Sequence, residues 1–359
     1  MARPARARLN AQALLHNLQQ VRRHAPRSRV MAVVKANAYG HGLAWVATAL
    51  KSADAFAVAS IEEGLVLRTA GVKQPIVLLG GFFGADELSS LQSRQFSPVL
   101  HGEHQLRLLE ADSVPLPASV WIKLDTGMHR IGFAPEMLAG VLARLRKLNG
   151  IRELRALTHL ANADDVADSR TRQQIESFHA KVNGLGLETS LANSAGIVAW
   201  PESHADWVRP GIMLYGASPL LGKTAAEFDL QPVMTLESAL IAVHPRKRGD
   251  AIGYGGSYVC PEDMPIGVVA IGYGDGYPRH ATPGTPVLVN GSRVALVGRV
   301  SMDMIMVDLR SQPKARIGDP VVLWGEGLPV DDVAAKAGTV SYELLCHVTG
   351  RVPRVVMKG

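Results

Sequence analysis

From Val30 to Gly216, short apolar runs alternate with stretches whose apolar positions recur at helical spacing. Eight runs stand out: Val30–Val34, Ala55–Ala59, Pro75–Leu79, Ser97–Leu100, Val120–Leu124, Ala156–Leu160, Ser190–Ala192 and Val208–Leu214. Between them, Leu43–Leu50, Ile61–Ala70, Ala134–Leu148 and Arg170–Val182 fit a period of 3.6 better than a period of 2. The alternation predicts an α/β protein, and eight repeats fit a (β/α)8 barrel of the TIM type, typically about 250 residues long. A doubly wound sheet of six or seven units would give a similar pattern and stays open on pattern alone. After about Leu230 the texture changes to short alternating runs at Thr235–Val243, Ile266–Ile271, Val287–Val289, Arg293–Val297, Met304–Val307 and Pro320–Leu323. Only Val330–Ala337 and Ser341–Val348 look helical there, so a mostly β C-terminal domain is predicted to follow the barrel. The junction falls near Leu220–Gln231, giving units 1–229 and 230–359.

Composition adds limits. The chain has 359 residues, 47% hydrophobic and 19% charged, which argues for a folded globular protein rather than a disordered or fibrous one. Lys plus Arg exceed Asp plus Glu by 38 to 32, so either a nucleic acid or an anionic small ligand is conceivable. The arginines at Arg22, Arg23, Arg27 and Arg29 come with no recognition module, so no nucleic-acid partner is expected, and the N-terminal arginines read as solvated surface. Two cysteines, Cys260 and Cys346, point to a reducing compartment, and with no signal peptide evident a cytoplasmic protein is expected. The longest apolar run, Ile76–Ala85, is about half a membrane span, so no membrane partner is expected.

Common motifs fail on spacing. Gly216–Thr224 resembles a phosphate-binding P-loop but has one residue too many between its glycines, and Gly272-Tyr-Gly274 does not open a GxGxxG pattern. His101 and His104 have no companion ligands, so no metal is expected, and there is no GxSxG elbow. What remains is Lys35, placed at the end of a fully apolar strand. Burial lowers a lysine pKa and makes the amine a better nucleophile and Schiff-base former, although a lysine that snorkels to solvent is the bland alternative. Other predicted strands also end in polar, glycine-bearing segments. In a closed barrel, Lys35, Arg130, His159, Ser194 and Arg209 converge on one face, a set suited to a phosphorylated aldehyde cofactor.

Six segments in order carry a family resemblance: Val33-Val-Lys-Ala-Asn-Ala-Tyr-Gly-His-Gly42, Lys123-Leu-Asp-Thr-Gly-Met-His-Arg130, Arg209-Pro-Gly-Ile212, Gly253-Tyr-Gly255, Ile271-Gly-Tyr-Gly-Asp-Gly-Tyr-Pro-Arg279 and Gly298-Arg-Val-Ser-Met-Asp303. With Tyr342-Glu343 and Arg351-Val-Pro-Arg354, they make the chain resemble the alanine racemases, which use pyridoxal 5'-phosphate on a barrel with a C-terminal β domain. The resemblance implies interconversion of L- and D-alanine, for peptidoglycan supply or alanine breakdown, by a homodimer with shared sites.

By that resemblance Lys35 carries the cofactor through its amine and serves one face of the substrate Cα, while Tyr254 of the neighbouring subunit serves the other. Two groups are needed because a proton leaves one face and returns to the opposite one. His159 lies between that tyrosine and Arg209, and Arg209 faces the pyridine nitrogen. Arginine keeps its proton, so the ring stays a weaker electron sink, which favours reprotonation over transamination. Arg130 meets the phenolic oxygen and the substrate carboxylate, and Met302 offers its backbone amide to that carboxylate. Tyr39, Ser194, Gly211, Ile212 and Tyr342 match the phosphate site. Tyr273, Asp164, Arg279 and Arg299 match the substrate entryway. Lys123 matches a lysine often carried as a carbamate, and an ordinary ion-pairing lysine is the other reading. Ser301 stands where some members have cysteine and His129 where glycine is common. A racemase of broader substrate range and a non-catalytic cofactor carrier remain beside this reading, the carrier disfavoured by Tyr254 and the second domain.

Overall fold

The computed structural model describes residues 3–111 and 115–357. A short strand β1 (Arg6–Leu9) is followed by eight parallel strands: β2 (Arg29–Val33), β3 (Ala55–Val58), β4 (Ile76–Leu78), β5 (Phe96–Leu100), β6 (Ser119–Lys123), β7 (Glu153–Leu157), β8 (Glu188–Ser190) and β9 (Trp207–Val208). They close into a barrel, sealed where β2 pairs with β9 through Arg29 opposite Trp207 and Val30 opposite Val208. β3, β4 and β5 are buried at every position, as continuous apolar runs require when helices cover the outer face and side chains fill the interior. Helices Leu43–Ala49, Ile61–Thr69, Leu138–Leu145 and Arg170–Val182 occupy the predicted interstrand stretches. The doubly wound alternative is therefore excluded.

The runs predicted to end at Leu160 and Ala192 stop as strands at Leu157 and Ser190, and a third is cut shorter still. Val208–Leu214 extends only to Val208, and Ile212–Tyr215 forms a 3-10 turn instead. Pro210 has no N–H to donate to a ladder, so the strand stops there and the chain turns across the barrel mouth.

The remaining strands are β10 (Met234–Arg246), β11 (Ala251–Ile252), β12 (Tyr258–Val259), β13 (Met264–Val269), β14 (Pro286–Val289), β15 (Ser292–Val297), β16 (Ile305–Asp308), β17 (Pro320–Trp324) and β18 (Arg354–Val356). Eight strands form one sheet in the order β13-β16-β15-β14-β17-β10-β1-β18, and β13 also pairs with β10. The long β10 is its hub, with a bulge between Leu240 and Ala242 where it meets β13. Residues 6–9 fall within the 1–229 unit of the sequence reading, yet β1 pairs antiparallel with β10 and parallel with β18. One apolar core runs from Ala5 through the barrel and into the second sheet.

Most of the N-terminal arginines are solvent-exposed, as expected, and several of them are also paired. Arg6 and Arg8, two residues apart on one face of β1, both pair with Glu237 of β10, and Arg3 pairs with the fully buried carboxylate of Asp275. Farther on, Arg29 pairs with Glu188 and lies over the Trp207 ring, 4.1 Å from its centroid. The Arg6 and Arg8 pairs thus clamp β1 to its neighbour β10 within the large sheet, and the Arg29 pair joins β2 to β8 within the barrel. The sequence reading also passed over helix Ala11–His24, whose N-cap Asn10 accepts the Ala13 N–H at 3.1 Å. Among the described residues, no helix is long and apolar enough to cross a membrane.

Candidate active site

At the C-terminal mouth of the barrel lies a cavity of about 610 Å³ lined by Lys35, Tyr39, Lys123, Arg130, His159, Ser194, Arg209, Gly211, Ile212 and Tyr342. The five residues expected to converge in a closed barrel all line it.

Lys35 follows the end of β2 with one residue, Val34, between them, and opens a turn that no sequence signal announces. Ala36, Asn37, Ala38 and Tyr39 have φ of 54°, 53°, 54° and 51°, a full turn of left-handed helix without glycine, completed by Gly40. Left-handed backbone costs L-residues about 1–2 kcal/mol each, so the surroundings must hold it. The Glu63 carboxylate accepts the Ala36 N–H at 2.7 Å and the Ala59 N–H at 2.8 Å, tying the turn to the end of β3. Asn37 Oδ1 accepts the Leu43 N–H at 2.9 Å, and His41 Nδ1 lies 2.8 Å from the Tyr39 carbonyl. Burial drives the His41 pKa down to about 4, so the ring is neutral and Nδ1 carries the donated proton.

The electrostatics are strongly cationic. Burial lowers the Lys35 pKa, Arg130 lowers it further, and Glu63 acts in the opposite direction. Buried Lys123 is pushed down to about 8 by desolvation and then by Arg130 and Arg209. The Asp125 carboxylate acts on it in the opposite direction. His159 is held well below its ordinary value by burial and the neighbouring cations, Arg209 first, and is therefore neutral. Arg209 is fully buried, at about 10, and keeps its proton at neutral pH. Its Nη1 donates to Ser190 Oγ at 2.6 Å, and Nη2 donates to the Thr158 carbonyl at 2.6 Å and the Leu191 carbonyl at 3.1 Å. Nε is the guanidinium nitrogen left without a partner among the described residues.

At the other end of the cavity, Ser194 begins helix Ser194–Ala199 behind the N-cap Asn193, and its hydroxyl accepts the Gly211 N–H at 2.9 Å. A Cβ on Gly211 would collide with the Tyr39 hydroxyl, so only glycine lets this backbone and that phenol share the cradle. Tyr39 stacks on Tyr215 at 4.7 Å and lies 6.0 Å from Tyr342, ring centre to ring centre. Tyr215 in turn donates to the Val33 carbonyl at 3.0 Å, which anchors the stack to β2.

The Lys123–Arg130 loop is pinned by Asp125, whose Oδ1 accepts the N–H of Gly127 at 3.1 Å and of His129 at 2.9 Å. His129 has φ of 54°, which gives the physical reason glycine suits this position. His129→Gly is expected to raise stability by about 0.5–1 kcal/mol, since the ion pair it removes is exposed and weak. Denaturant unfolding reads this directly, and destabilisation by 1 kcal/mol or so would contradict it.

Several expected residues do not line this cavity. Tyr254 is 66% exposed, lifted by a loop in which Gly253, Gly255 and Gly256 all have positive φ. The loop rests on a separate small core of Ile252, Cys260, Met264, Ile266 and Val297, and Arg299 packs beside Gly255. Tyr273 and Met302 are likewise exposed, on two loops joined by the Tyr273 N–H to Ser301 carbonyl bond at 3.0 Å. Arg279 is exposed, and Asp164 lies close enough to Tyr342 to disfavour its phenolate. The sequence reading missed Glu63 and the placement of Cys346 in the cavity wall. Glu63 does carry a sequence signal, Ser60-Ile-Glu-Glu63, but that spacing announces a helix cap rather than a brace for the neighbouring strand.

Comparison with known proteins places these features in context. Residues 9–219 match the family model described as alanine racemase, N-terminal domain, and residues 233–356 match alanine racemase, C-terminal domain. The chain is 54% identical over 349 residues to an alanine racemase of Nitrosococcus oceani, covering 97% of this chain and 98% of that one. It superposes on the crystal structure of a biosynthetic alanine racemase from Pseudomonas aeruginosa with a TM-score of 0.97 and 47% identity, covering 99% of this chain and 100% of that one. An alanine racemase from Bartonella henselae, solved with covalently bound pyridoxal phosphate, matches at a TM-score of 0.88 and 30% identity, with 99% of each chain covered.

Proposed function

The chain belongs to the alanine racemase family and interconverts L- and D-alanine, and from this premise we propose that it works with pyridoxal 5'-phosphate held in the cavity around Lys35. The observation that carries this reading is the meeting of an amine, two lysine-flanking arginines and a glycine-only cradle in one cavity. The donor set fits the group: Ser194, Gly211, Ile212, Tyr39 and Tyr342 surround a place for a phosphate, and the cationic wall opposite suits a phenolate and a carboxylate. When bound, the cofactor supplies an electron-accepting ring that acidifies the Cα proton of alanine.

The residues divide the remaining work. Lys35, whose lowered pKa makes its amine easier to deprotonate than an ordinary lysine's, offers that amine for attachment and then holds or returns the proton on one face of Cα. Arg209, with Nε–H uncommitted, would hold the ring nitrogen when the cofactor is bound and would not surrender its proton, which would limit electron withdrawal. Arg130 has no ion-pair partner among the described residues and is available to orient the substrate carboxylate and the phenolic oxygen. Tyr254 serves the opposite face of Cα in the neighbouring subunit of a homodimer, near His159. Its exposure and distance from its own cavity lining support that assignment. Met302 offers its backbone N–H to the carboxylate, while Tyr273, Asp164, Arg279 and Arg299 line the approach. Both cysteines are free, in keeping with a cytoplasmic setting.

Lys123 is carbamylated in this reading. An amine at about 8 has a substantial neutral fraction near pH 8, and a carbamate would give Arg130 and Arg209 an anion between them. With isotopically labelled bicarbonate, a carbamate carbon signal is expected in the protein and none in Lys123→Met. The same signal in both would contradict the assignment.

The direct test of function is incubation of the purified, cofactor-loaded protein with L-alanine in heavy water. D-alanine formation accompanied by Cα deuteration is expected. Unchanged L-alanine would overturn the reading, and equal rates on serine or lysine would assign the broader range.

A further inference from the structure

The Arg351-Val-Pro-Arg354 segment is part of the family resemblance, yet neither arginine lines the cavity. Arg354 opens β18, and its half-buried guanidinium is committed to backbone carbonyls. Nε–H donates to Gly40 at 2.6 Å, Nη2 donates to Val348 at 2.8 Å, and Nη1 reaches Thr349 and Val352 at 3.4 Å. It has no ion-pair partner among the described residues, so its charge serves these acceptors. Charge-assisted hydrogen bonds of this kind are roughly twice as strong as neutral ones.

The two short bonds join two particular elements. Gly40 closes the left-handed turn that carries Tyr39, and Val348 caps helix Ser341–His347, which carries Tyr342 on its first turn. These elements are already pressed together, since a Cβ on Gly40 would collide with the Leu345 carbonyl oxygen. The turn is intrinsically unfavourable backbone, and its last carbonyl is held from the second sheet, 314 residues away in sequence. The fork geometry matters: one planar group bridges both carbonyls, which a lysine ammonium would do less rigidly.

We propose that Arg354 is a positioning residue for the phosphate end of the cofactor site, fixing the turn against the helix so that Tyr39 and Tyr342 face one phosphate together. The inference rests on the cofactor reading above and adds a residue outside the cavity to it. It makes the C-terminal strand a working part of the barrel's site.

The test compares the affinity of the apo-protein for pyridoxal 5'-phosphate and for pyridoxal, which lacks the phosphate. Arg354→Ala is expected to weaken the phosphorylated ligand about tenfold and to leave pyridoxal nearly unchanged. Arg354→Lys should fall between Arg354→Ala and the unmodified chain. In a Tyr39→Phe/Tyr342→Phe background the effect of Arg354→Ala should disappear, because the residue acts through those phenols. Arg351→Ala, which removes instead the pair with Asp303 at 2.5 Å, should leave the ratio of affinities unchanged. Equal weakening of both ligands, or an undiminished effect without the two phenols, would overturn the proposal. If Arg354→Ala does not fold, an unaltered affinity ratio in Arg354→Lys overturns it equally. Failure of the unmodified chain to prefer the phosphorylated ligand would instead overturn the cofactor reading, and this inference with it.

Discussion

Lys35→Ala is expected to lower racemisation by at least about ten-thousand-fold, because one change removes both the attachment point and a base. The structure makes the substitution local. Lys35 heads the left-handed turn, but the turn is held by Glu63, Asn37 and His41 through bonds that involve no Lys35 side-chain atom. Thermal unfolding of the apo-protein should therefore change little. Borohydride reduction followed by peptide mapping should find the cofactor on Lys35 in the unmodified protein and nowhere in the variant. Wild-type turnover, or covalent attachment at another lysine, would contradict the assignment.

The pH behaviour of this amine follows from its surroundings. The charged or titratable groups that interact with Lys35 are Arg130, Lys123, His159, Glu63 and Cys346. Desolvation and Arg130 dominate, so its folded pKa lies below that of a free lysine. The neutral, reactive form is therefore present at lower pH than for an ordinary lysine and is lost as pH falls through the lowered pKa. Modification of the apo-protein by an amine-reactive aldehyde should show this, with Lys35 labelled ahead of the surface lysines. Labelling no faster than surface lysines would count against it.

Tyr254→Phe should have the second largest effect. Proton exchange from L-alanine is expected to fall by about a hundred- to ten-thousand-fold, the usual worth of a positioned acid or base. Cofactor affinity should hardly move, since in this account Tyr254 meets the substrate Cα while the cofactor is held by Lys35, Arg209 and the Tyr39, Ser194 and Tyr342 cradle. The loop's geometry depends on three glycines and a small core of its own, none of which touches the lost hydroxyl. A parallel loss of cofactor binding would mean that the tyrosine is structural, and unchanged exchange would mean that it is not a base.

Much of the barrel could be read from the chain because parallel strands covered on both faces leave an unmistakable trace of consecutive apolar residues. β3 and β5 are such cases, and helices Arg170–Val182 and Val330–Ala337 end where their periodicity ends. β1 escaped because four residues alternating arginine with alanine or leucine are too few to signal a strand, and their partner lies about 230 residues away. The strand predicted through Leu214 failed for a local reason, Pro210. Convergence of Lys35, Arg130, His159, Ser194 and Arg209 followed from closing the barrel alone. The left-handed turn did not, because Ala-Asn-Ala-Tyr has no composition that demands positive φ, and bonds that help enforce it come from Glu63 and Arg354, remote in sequence. The place of Tyr254 was equally hidden from periodicity and came only through family resemblance, since its proposed target is on another chain.

Subunit mixing tests that central claim most directly. Lys35→Ala and Tyr254→Phe chains carrying different affinity tags can be co-expressed and the mixed dimer isolated. If each site takes Lys35 from one subunit and Tyr254 from its neighbour, the mixed dimer holds one doubly altered site and one intact site, and should show about half the activity of the unmodified dimer. If both residues serve the same chain, each site carries one lesion, and the mixed dimer stays as inactive as its parents.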